Sequence, residues 1–341
     1  MTDRPPRVSV CIPVYNGADY IGESLRSVLA QTYEDFRVVV VDNCSTDGTA
    51  DVVRSFRDSR LTYVRNSTNL GAVGNFNRCL ELADGEYVNI WHHDDVMVPE
   101  NIERKVRVLD KHPSVGYVHS NLWLTDAQGH PFMEHWHEDS KLDYVEPGAE
   151  IFRRYVTRLH HGALIFIGAV LARRVCYERL GGFRPELPNC CDSEMWMRLA
   201  LFYDVACLST PLVKYRQHGA SLGGSHHGPD MLREHYTTAL MIFRNYGHRI
   251  PDRLALLREV RAHFASETVQ QARAMSYLGK RALSRRYLFM AARLYPKVLA
   301  TKPFWWQTLK WVVGAPGVRL YAGLRHILRR REPRVDVNGR R

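Results

Sequence analysis

Apolar residues follow two alternating patterns along the first part of the chain. Residues 8–15 and 36–41 are continuous, largely β-branched apolar runs that stop at polar pairs, which is typical of buried strands. Between them, residues 21–29 carry apolar side chains at the spacing of an amphipathic helix. Further strands are predicted at residues 61–64 and 87–91, each followed by another helical pattern. The sequence therefore alternates strand and helix.

This alternation predicts an α/β fold with a mostly parallel, Rossmann-like sheet and helices on both of its faces. Polar residues follow the strands, and the carboxyl ends of parallel strands share one sheet edge, where such folds bind ligands. These residues are Asn16, Asp42, Asn43, Asn66, Asn69, Asp94 and Asp95. Asp and Asn also punctuate ordinary loops, but four such loops on one edge favour a binding site.

The second half of the chain has fewer clear patterns. Residues 115–119 are predicted to form a strand, residues 164–171 form an apolar run, and a helix is predicted after Asp192. From about Pro229 onwards the spacing of apolar residues is helical. A helical C-terminal extension is therefore expected to follow the α/β part.

Charge modifies this picture, because the formal net charge of +11 over 341 residues is concentrated after Leu254. A basic tail binds phosphate groups, which belong to nucleic acid, anionic lipid or a phosphorylated substrate. The chain has no helix-turn-helix, zinc-finger or RNP-like motif, so we expect no nucleic-acid partner. The tail instead combines Lys and Arg with Trp305, Trp306 and Trp311, as interfacial helices on anionic bilayers do. A helical bundle that buries these tryptophans is the alternative.

Three further features of the sequence indicate the cellular compartment of the protein. Its seven cysteines have no CxxC spacing, which fits reduced thiols in the cytoplasm. The N-terminus lacks the apolar stretch of a signal peptide, and no apolar run is long enough to span a membrane. We expect a cytoplasmic protein, with peripheral attachment to the inner face of the plasma membrane as an option that the basic tail leaves open.

The most informative polar segment is His92-His93-Asp94-Asp95, directly after the strand predicted at residues 87–91. Two hard oxygen ligands at a strand end suit Mg²⁺ or Mn²⁺, and these ions commonly sit against substrate phosphates. A zinc site that includes His92 and His93 is the alternative, although the usual spacing of catalytic zinc ligands is absent.

Four segments together resemble the nucleotide-binding half of family 2 inverting glycosyltransferases, which have the GT-A fold. The segments are Cys11-Ile12-Pro13-Val14-Tyr15-Asn16, Val41-Asp42-Asn43-Cys44-Ser45-Thr46-Asp47-Gly48-Thr49, Asn69-Leu70-Gly71 and Asp84-Gly85-Glu86-Tyr87. The resemblance implies a catalytic domain over residues 1–222, with a nucleotide-sugar half at about 7–120 and an acceptor half at about 121–222. Residues 223–341 would form the basic helical region.

The resemblance also implies roles for the donor side. Pro13 and Tyr15 would line the base pocket, together with Asn16, and Asp42 would accept a hydrogen bond from the base. Asn69 and Gly71 would let the backbone approach the nucleotide. The alternative for Tyr15 is a core aromatic residue at a strand end.

The family pattern at the acidic segment is Asp-x-Asp followed by another Asp, and here His92 replaces the first acid. Asp94 matches the acid that holds the metal in the family, and Asp95 would lie on the diphosphate or acceptor side. His92 could donate a hydrogen bond to a ribose or sugar hydroxyl instead of the missing carboxylate.

Two later segments complete the resemblance. Cys191-Asp192-Ser193-Glu194-Met195-Trp196 is similar to the Glu-Asp-x-Asp-x-Trp segment of the family, so Asp192 would be the general base. Glu194 would face the diphosphate or acceptor, although both acids also suit the first turn of a helix. Tyr215-Arg216-Gln217-His218 resembles a Tyr-Arg-x-His segment, in which His218 would approach the metal and Arg216 the diphosphate.

The function implied is transfer of a sugar from a UDP, dTDP or GDP donor to a hydroxyl of a glycan or lipid-linked acceptor, in the synthesis of cell-envelope polysaccharide. Mg²⁺ or Mn²⁺ would be the cofactor. One alternative is a nucleotidyltransferase on a similar fold, although Asn16-Gly17-Ala18-Asp19 lacks the glycine-rich, basic character of a phosphate loop. A catalytically impaired homologue is the other, because His92 and Cys191 both replace acids.

Overall fold

A computed structural model of the chain describes residues 4–135, 142–159, 165–219, 229–306 and 308. Packing divides the chain into two compact units, Met1–Leu256 and Leu257–Arg341. The first unit contains the sheet and all of the predicted site residues.

The first unit begins with alternating strands and helices. They are β1 (Val8–Val14), α1 (Ile21–Leu29), β2 (Phe36–Asp42), α2 (Thr49–Ser55), β3 (Leu61–Arg65), α3 (Gly71–Leu82) and β4 (Tyr87–Ile90). β1 is buried at all seven of its positions, as expected for a valine-rich central strand. α1 buries Ile21, Ser24, Leu25 and Val28, which share one helical face, against this part of the sheet.

The remaining elements of this unit are less regular in order. They are β5 (Val96–Met97), α4 (Asn101–Lys111), β6 (Val115–Thr125), β7 (Pro131–His135), β8 (Tyr144–Glu146), α5 (Gly148–Arg158), β9 (Leu171–Arg173), α6 (Arg174–Leu180), α7 (Cys191–Ala200), β10 (Asp204–Arg216) and α8 (Pro229–Tyr246). Short 3₁₀ turns occupy Ile167–Ala169 and Gly247–Arg249. β6 runs six residues further than the predicted strand end at residue 119. It continues because its backbone pairs with β10 as far as Thr125, and the buried Asn121 side chain is satisfied by donating to the Ser209 carbonyl at 2.7 Å.

The ten strands within the described residues form one sheet in the order β3-β2-β1-β4-β9-β6-β10-β5, with β7 on β6 and β8 on β10. The pairs β3-β2, β2-β1, β1-β4 and β6-β10 are parallel. β9 enters between β4 and β6 from the opposite direction and pairs antiparallel with both. The predicted α/β class is confirmed, and the predicted parallel arrangement holds among β1, β2, β3 and β4.

The first unit includes α8, although a domain boundary is predicted at residue 222. α8 packs against the α5–α7 region: the rings of Phe152 and Phe243 have centroids 6.3 Å apart. Glu234 of α8 also accepts hydrogen bonds from the backbone N–H of Asn189, at 2.7 Å, and of Cys190, at 3.1 Å. These contacts place α8 with the sheet.

The second unit contains most of α9 (Arg253–Tyr277), all of α10 (Arg281–Leu294) and a 3₁₀ turn at Pro296–Ala300. Gly279, with φ of +72°, makes the turn between the two helices. Ser284 Oγ donates to the Ala272 carbonyl at 2.7 Å and joins α10 to α9.

Within the described ranges, no helix combines the length and the apolar character that crossing a bilayer requires. The predicted interfacial segment extends beyond these ranges, so Trp311 and Arg329–Arg331 lie outside the described residues.

Candidate active site

The segment after β4 is anchored to α1 by a buried tryptophan. Trp91 is fully buried, and its indole Nε1 donates to Ser24 Oγ at 2.9 Å. The Ser24 hydroxyl in turn donates to the carbonyl of His92 at 3.1 Å. These two hydrogen bonds fix the backbone from which Asp94 and Asp95 project.

We call residues 92–95 the acidic segment, and Asp95 is its fully buried member. Its Oδ1 accepts the backbone N–H of Arg216 at 2.9 Å, and its Oδ2 lies 3.7 Å from His92 Nδ1. Burial raises the pKa of Asp95 well above its usual value, and the neighbouring charge of Asp94 adds to this. Asp95 therefore holds the end of β10 against the acidic segment.

Asp94 is the more accessible acid of the pair. Its Oδ2 lies 3.0 Å from Nε2 of His218, as the resemblance predicts for two residues of one metal site. Burial alone would raise the pKa of Asp94, but the neighbouring His93 and His92 and the contact with His218 outweigh it. The net effect is a pKa below the usual range.

Arg216 is almost fully buried and ties three segments together, which corrects the prediction that it contacts a diphosphate. Its side chain is only 3% exposed. The guanidinium donates to Glu23 Oε2 at 2.5 Å, to the carbonyl of Asp94 at 2.8 Å and to the carbonyl of Ala127 at 2.8 Å. Arg216 is thus a positioning residue for the acidic segment.

A divalent cation fits the side chains at this end of the sheet. One ligand atom each from His92, Asp94 and Asp95 lies within 4.8 Å of the others, and His218 adjoins Asp94. Carboxylate oxygens with an imidazole suit Mg²⁺ or Mn²⁺, and zinc also accepts this set. His93 is not part of this group, and its ring packs so closely on Gly17 that a Cβ there would come within 2.4 Å of it.

The predicted general base, Asp192, lies in the first turn of α7, so the expected helix begins one residue before it. Its Oδ1 accepts the backbone N–H of Ser193 at 2.6 Å. Burial nonetheless raises the pKa of Asp192 to about 6, because desolvation disfavours the charged form more than this hydrogen bond favours it. A carboxylate with a pKa near neutrality suits general-base catalysis.

Tyr215, at the end of β10, connects the two groups of acids. Burial raises the pKa of its phenol, and the charges of Asp95, Asp94 and Asp192 raise it further. The three carboxylates contribute to the same shift. The joint role of Asp94 and Asp192 in one site stays a prediction.

Glu194 does not face this region, which corrects the prediction that it lies on the diphosphate or acceptor side. Glu194 and Arg198, one helical turn later, are both fully buried and form an ion pair at 2.9 Å. Arg198 also donates to the carbonyls of Gly181, at 2.8 Å, and Gly182, at 2.7 Å. Glu194 is therefore part of a buried network that joins α7 to the turn after α6.

On the donor side, Asp42 is fully buried at the end of β2. Its carboxylate accepts the backbone N–H of Ser45 at 2.7 Å, the hydroxyl of Tyr63 and a guanidinium N–H of Arg65 at 3.3 Å. The contact between Asp42 and a nucleobase stays a prediction, and the buried carboxylate already accepts three hydrogen bonds within the protein.

Tyr15 and Asn16 extend from the end of β1, while Pro13 is buried within it. Tyr15 is 48% exposed, which excludes the core position that was its alternative. Asn16 has φ of +51° and accepts the backbone N–H of Thr46 through Oδ1 at 2.8 Å. The exposed Tyr15 ring is thus held beside the loop that follows β2.

Asn69 and Gly71 lie at the start of α3, close to the end of β2. Asn69 Oδ1 accepts from Asn43 Nδ2 at 2.9 Å and from the Gly71 backbone N–H at 2.8 Å. Gly71 has φ of +72°, and a Cβ there would meet no atom within 4 Å. Asn43 therefore connects the loops that follow β2 and β3.

Sequence reasoning missed the residues that support the site from beneath. Ser24 gave no signal, because a polar residue on a predicted helix is normally solvent-exposed, whereas Ser24 is buried. Glu23 is exposed and is distinguished only by its contact with Arg216. Tyr215 is part of the Tyr-Arg-x-His segment. Its position directly before Arg216 was the one available hint.

Comparisons with known proteins agree with this geometry. A family model described as "Glycosyl transferase family 2" matches residues 9–178. An uncharacterized glycosyltransferase of Rickettsia felis is 26% identical over 258 residues, which is 72% of this chain but only 39% of that protein. TuaG of Bacillus subtilis, described as a putative teichuronic acid biosynthesis glycosyltransferase, is 33% identical over 146 residues, covering 42% of this chain and 58% of TuaG.

A solved structure shows the same fold. Residues 1–349 of TarS from S. aureus, in complex with UDP-GlcNAc, match with a TM-score of 0.62 at 20% identity. The match covers 85% of this chain and 82% of that one. The likeness confirms the predicted GT-A type of fold. With the family match and the ordered motifs, it follows that this chain belongs to glycosyl transferase family 2.

Proposed function

We propose that the chain is an inverting glycosyltransferase that moves a sugar from a nucleoside diphosphate to an acceptor hydroxyl. The observation that carries this proposal is the group formed by His92, Asp94 and Asp95, whose ligand atoms lie within 4.8 Å of one another, with His218 3.0 Å from Asp94. A metal-binding acid and a base with a pKa near 6 in one region are what a direct displacement at a sugar carbon needs.

Each residue has a chemical role in this proposal. Asp192 takes the proton of the acceptor hydroxyl as its oxygen attacks the anomeric carbon, and the bond to the diphosphate breaks on the opposite side. Asp94 and His218 would hold Mg²⁺ or Mn²⁺, with His92 and Asp95 beside them. A divalent cation in this place would neutralise charge on the leaving diphosphate. Tyr15, Pro13, Asn16, Asn69 and Gly71 surround the nucleoside.

The donor is a UDP, dTDP or GDP sugar, and the acceptor is a lipid-linked or polymeric glycan of the cell envelope. Support comes from the likeness to TarS, which was solved with UDP-GlcNAc, and to TuaG, described as a teichuronic acid biosynthesis protein. The location proposed is the cytoplasm, at the inner face of the plasma membrane.

A donor screen tests the proposal directly. Full-length protein is heated with UDP-, GDP- and dTDP-sugars, each with Mn²⁺, Mg²⁺, Zn²⁺ or EDTA, and the melting temperature is recorded. One donor with Mn²⁺ or Mg²⁺ is expected to raise the melting temperature, because a ligand of the folded state stabilises it by mass action. Analysis of the anomeric product by NMR then shows inversion. Stabilisation by zinc alone, or a retained configuration, would contradict the proposal.

Replacing Asp94 by Asn is expected to remove the metal dependence of donor binding. Asn keeps the size of the side chain but lacks the charge that a hard cation needs. The donor-induced rise in melting temperature should then no longer depend on Mn²⁺, and transfer should fall by a factor on the order of 100 or more. Asp126→Asn, on an exposed turn, is the control. Metal-dependent stabilisation that survives in Asp94→Asn would refute the metal role.

Donor binding without transfer would favour the catalytically impaired homologue over the active enzyme. The specific reason to test this is that His92 and Cys191 stand where the family has acids. Cys191 is no substitute nucleophile, because it is buried and its burial raises the pKa of the thiol.

A further inference from the structure

The outer side of α10 combines cationic and apolar residues in a regular arrangement. Ser284, Tyr287, Leu288 and Ala291 form its buried side. The opposite side of the helix is exposed, and we call it the α10 outer face: Arg281, Arg285, Arg286, Phe289 and Arg293. Phe289 is 73% exposed and lies at the centre of this face.

The turn between α9 and α10 also exposes apolar side chains next to a cation. Tyr277 is 68% exposed and Leu278 is 64% exposed, and both directly precede Gly279 and Lys280. Soluble proteins seldom expose several large apolar side chains together without a binding partner. The turn and the α10 outer face therefore offer apolar groups among cations.

The charge of this region is all of one sign. No Asp or Glu occurs anywhere in residues 268–306. The cations in the same stretch are Arg273, Lys280, Arg281, Arg285, Arg286, Arg293, Lys297 and Lys302. Such a segment is attracted to an anionic surface and repels a second copy of itself.

We propose that the α10 outer face and the Tyr277–Lys280 turn form a docking surface for an anionic phospholipid bilayer. Arginines would contact headgroup phosphates, while Phe289, Leu278 and Tyr277 would enter the boundary with the acyl chains. A soluble polyanion, such as nucleic acid or an acidic glycan, would use the cations but would leave these apolar side chains in water. This surface deepens the proposed function, since it would bring the enzyme to a membrane that carries its acceptor.

Vesicle sedimentation of the full chain tests the surface without any substrate. We expect binding to vesicles of equal parts phosphatidylglycerol and phosphatidylcholine, and binding at least roughly tenfold weaker to phosphatidylcholine alone. The double variant Leu278→Ser/Phe289→Ser should bind the mixed vesicles about tenfold less tightly or worse. Arg285→Gln should weaken binding by roughly fivefold.

Two controls separate the alternatives. Val175→Ser removes an exposed apolar residue of α6 and should bind vesicles as the unchanged protein does. Soluble polyphosphate should bind the double variant and the unchanged protein equally well. Circular dichroism and the melting temperature check that each variant is folded. If the double variant keeps full affinity for mixed vesicles, the surface binds a soluble polyanion or nothing, and the inference is wrong.

The outcome is independent of the proposed chemistry. Asp192→Asn should bind vesicles normally while it fails to transfer sugar. The Leu278→Ser/Phe289→Ser variant should still bind the donor. If the unchanged protein binds vesicles but transfers no sugar, the proposed function alone is refuted. Transfer without vesicle binding would refute the docking surface alone.

Discussion

Asp192→Asn is expected to lower the transfer rate by a factor of about 10² to 10⁴, the usual contribution of a general base. The asparagine can still accept the Ser193 N–H, so the helix start should stay intact, but the amide cannot take a proton from the acceptor. Donor binding should persist, which is measured as an unchanged donor-induced rise in melting temperature. The matched control is Asp51→Asn, an exposed acid in the first turn of α2.

The same residue should give the reaction a characteristic pH dependence. The pKa of Asp192 is about 6, so the rate should fall about tenfold per pH unit below that value as the base becomes protonated. Rates measured from pH 4.5 to 8 at saturating donor would show this limb. A profile that stays flat through pH 5 would argue against Asp192 as the base.

Asp192→Asn should also make the folded protein more stable at neutral pH. The folded-state pKa of about 6 lies above the value of 3.8 for an aspartate side chain in water, so folding favours the protonated form. The penalty for ionised Asp192 is thus fully present above pH 6 and disappears as the pH falls towards 3.8. The shift corresponds to roughly 2 to 3 kcal/mol at pH 8, because one pKa unit equals about 1.4 kcal/mol. Urea unfolding at pH 8 and pH 4 measures the difference; equal stability of both proteins at pH 8 would contradict a desolvated carboxylate.

Glu194→Gln is expected to lower the free energy of unfolding by about 3 to 5 kcal/mol. The amide leaves the guanidinium of Arg198 buried without a compensating charge, and Arg198 also holds the carbonyls of Gly181 and Gly182. The comparison variant is Glu103→Gln. It breaks a pair of the same helical spacing with Arg107 at the surface, where about 0.5 kcal/mol or less is expected.

This experiment also separates two roles of Glu194. A residue that contacts the acceptor would lose activity while the protein keeps its stability. The buried ion pair predicts the opposite result. The free energy of unfolding in urea falls strongly, and the activity per folded molecule changes less. An undiminished stability of Glu194→Gln would restore the role that the resemblance gave it.

The sequence by itself determined the alternation of strand and helix. The spacing of apolar residues along β1 and α1 shows which sides of these elements are buried. It also singled out Asp94, Asp192 and His218 as candidates, since their local motifs are continuous in the chain, and their roles stay predictions. The pairing of Asp94 with His218, 124 residues apart, was predicted through the family resemblance and is present at 3.0 Å.

Only the tertiary structure decided which polar side chains are buried in internal contacts. Glu194 and Asp192 are two residues apart on one helix, so their side chains point to nearly opposite sides of it, and Glu194 is fully buried in an ion pair with Arg198. Arg216 and Asp42 have polar partners that come from distant segments, and no local pattern records them. The direction of a side chain depends on what packs around its element, and that is a property of the whole fold.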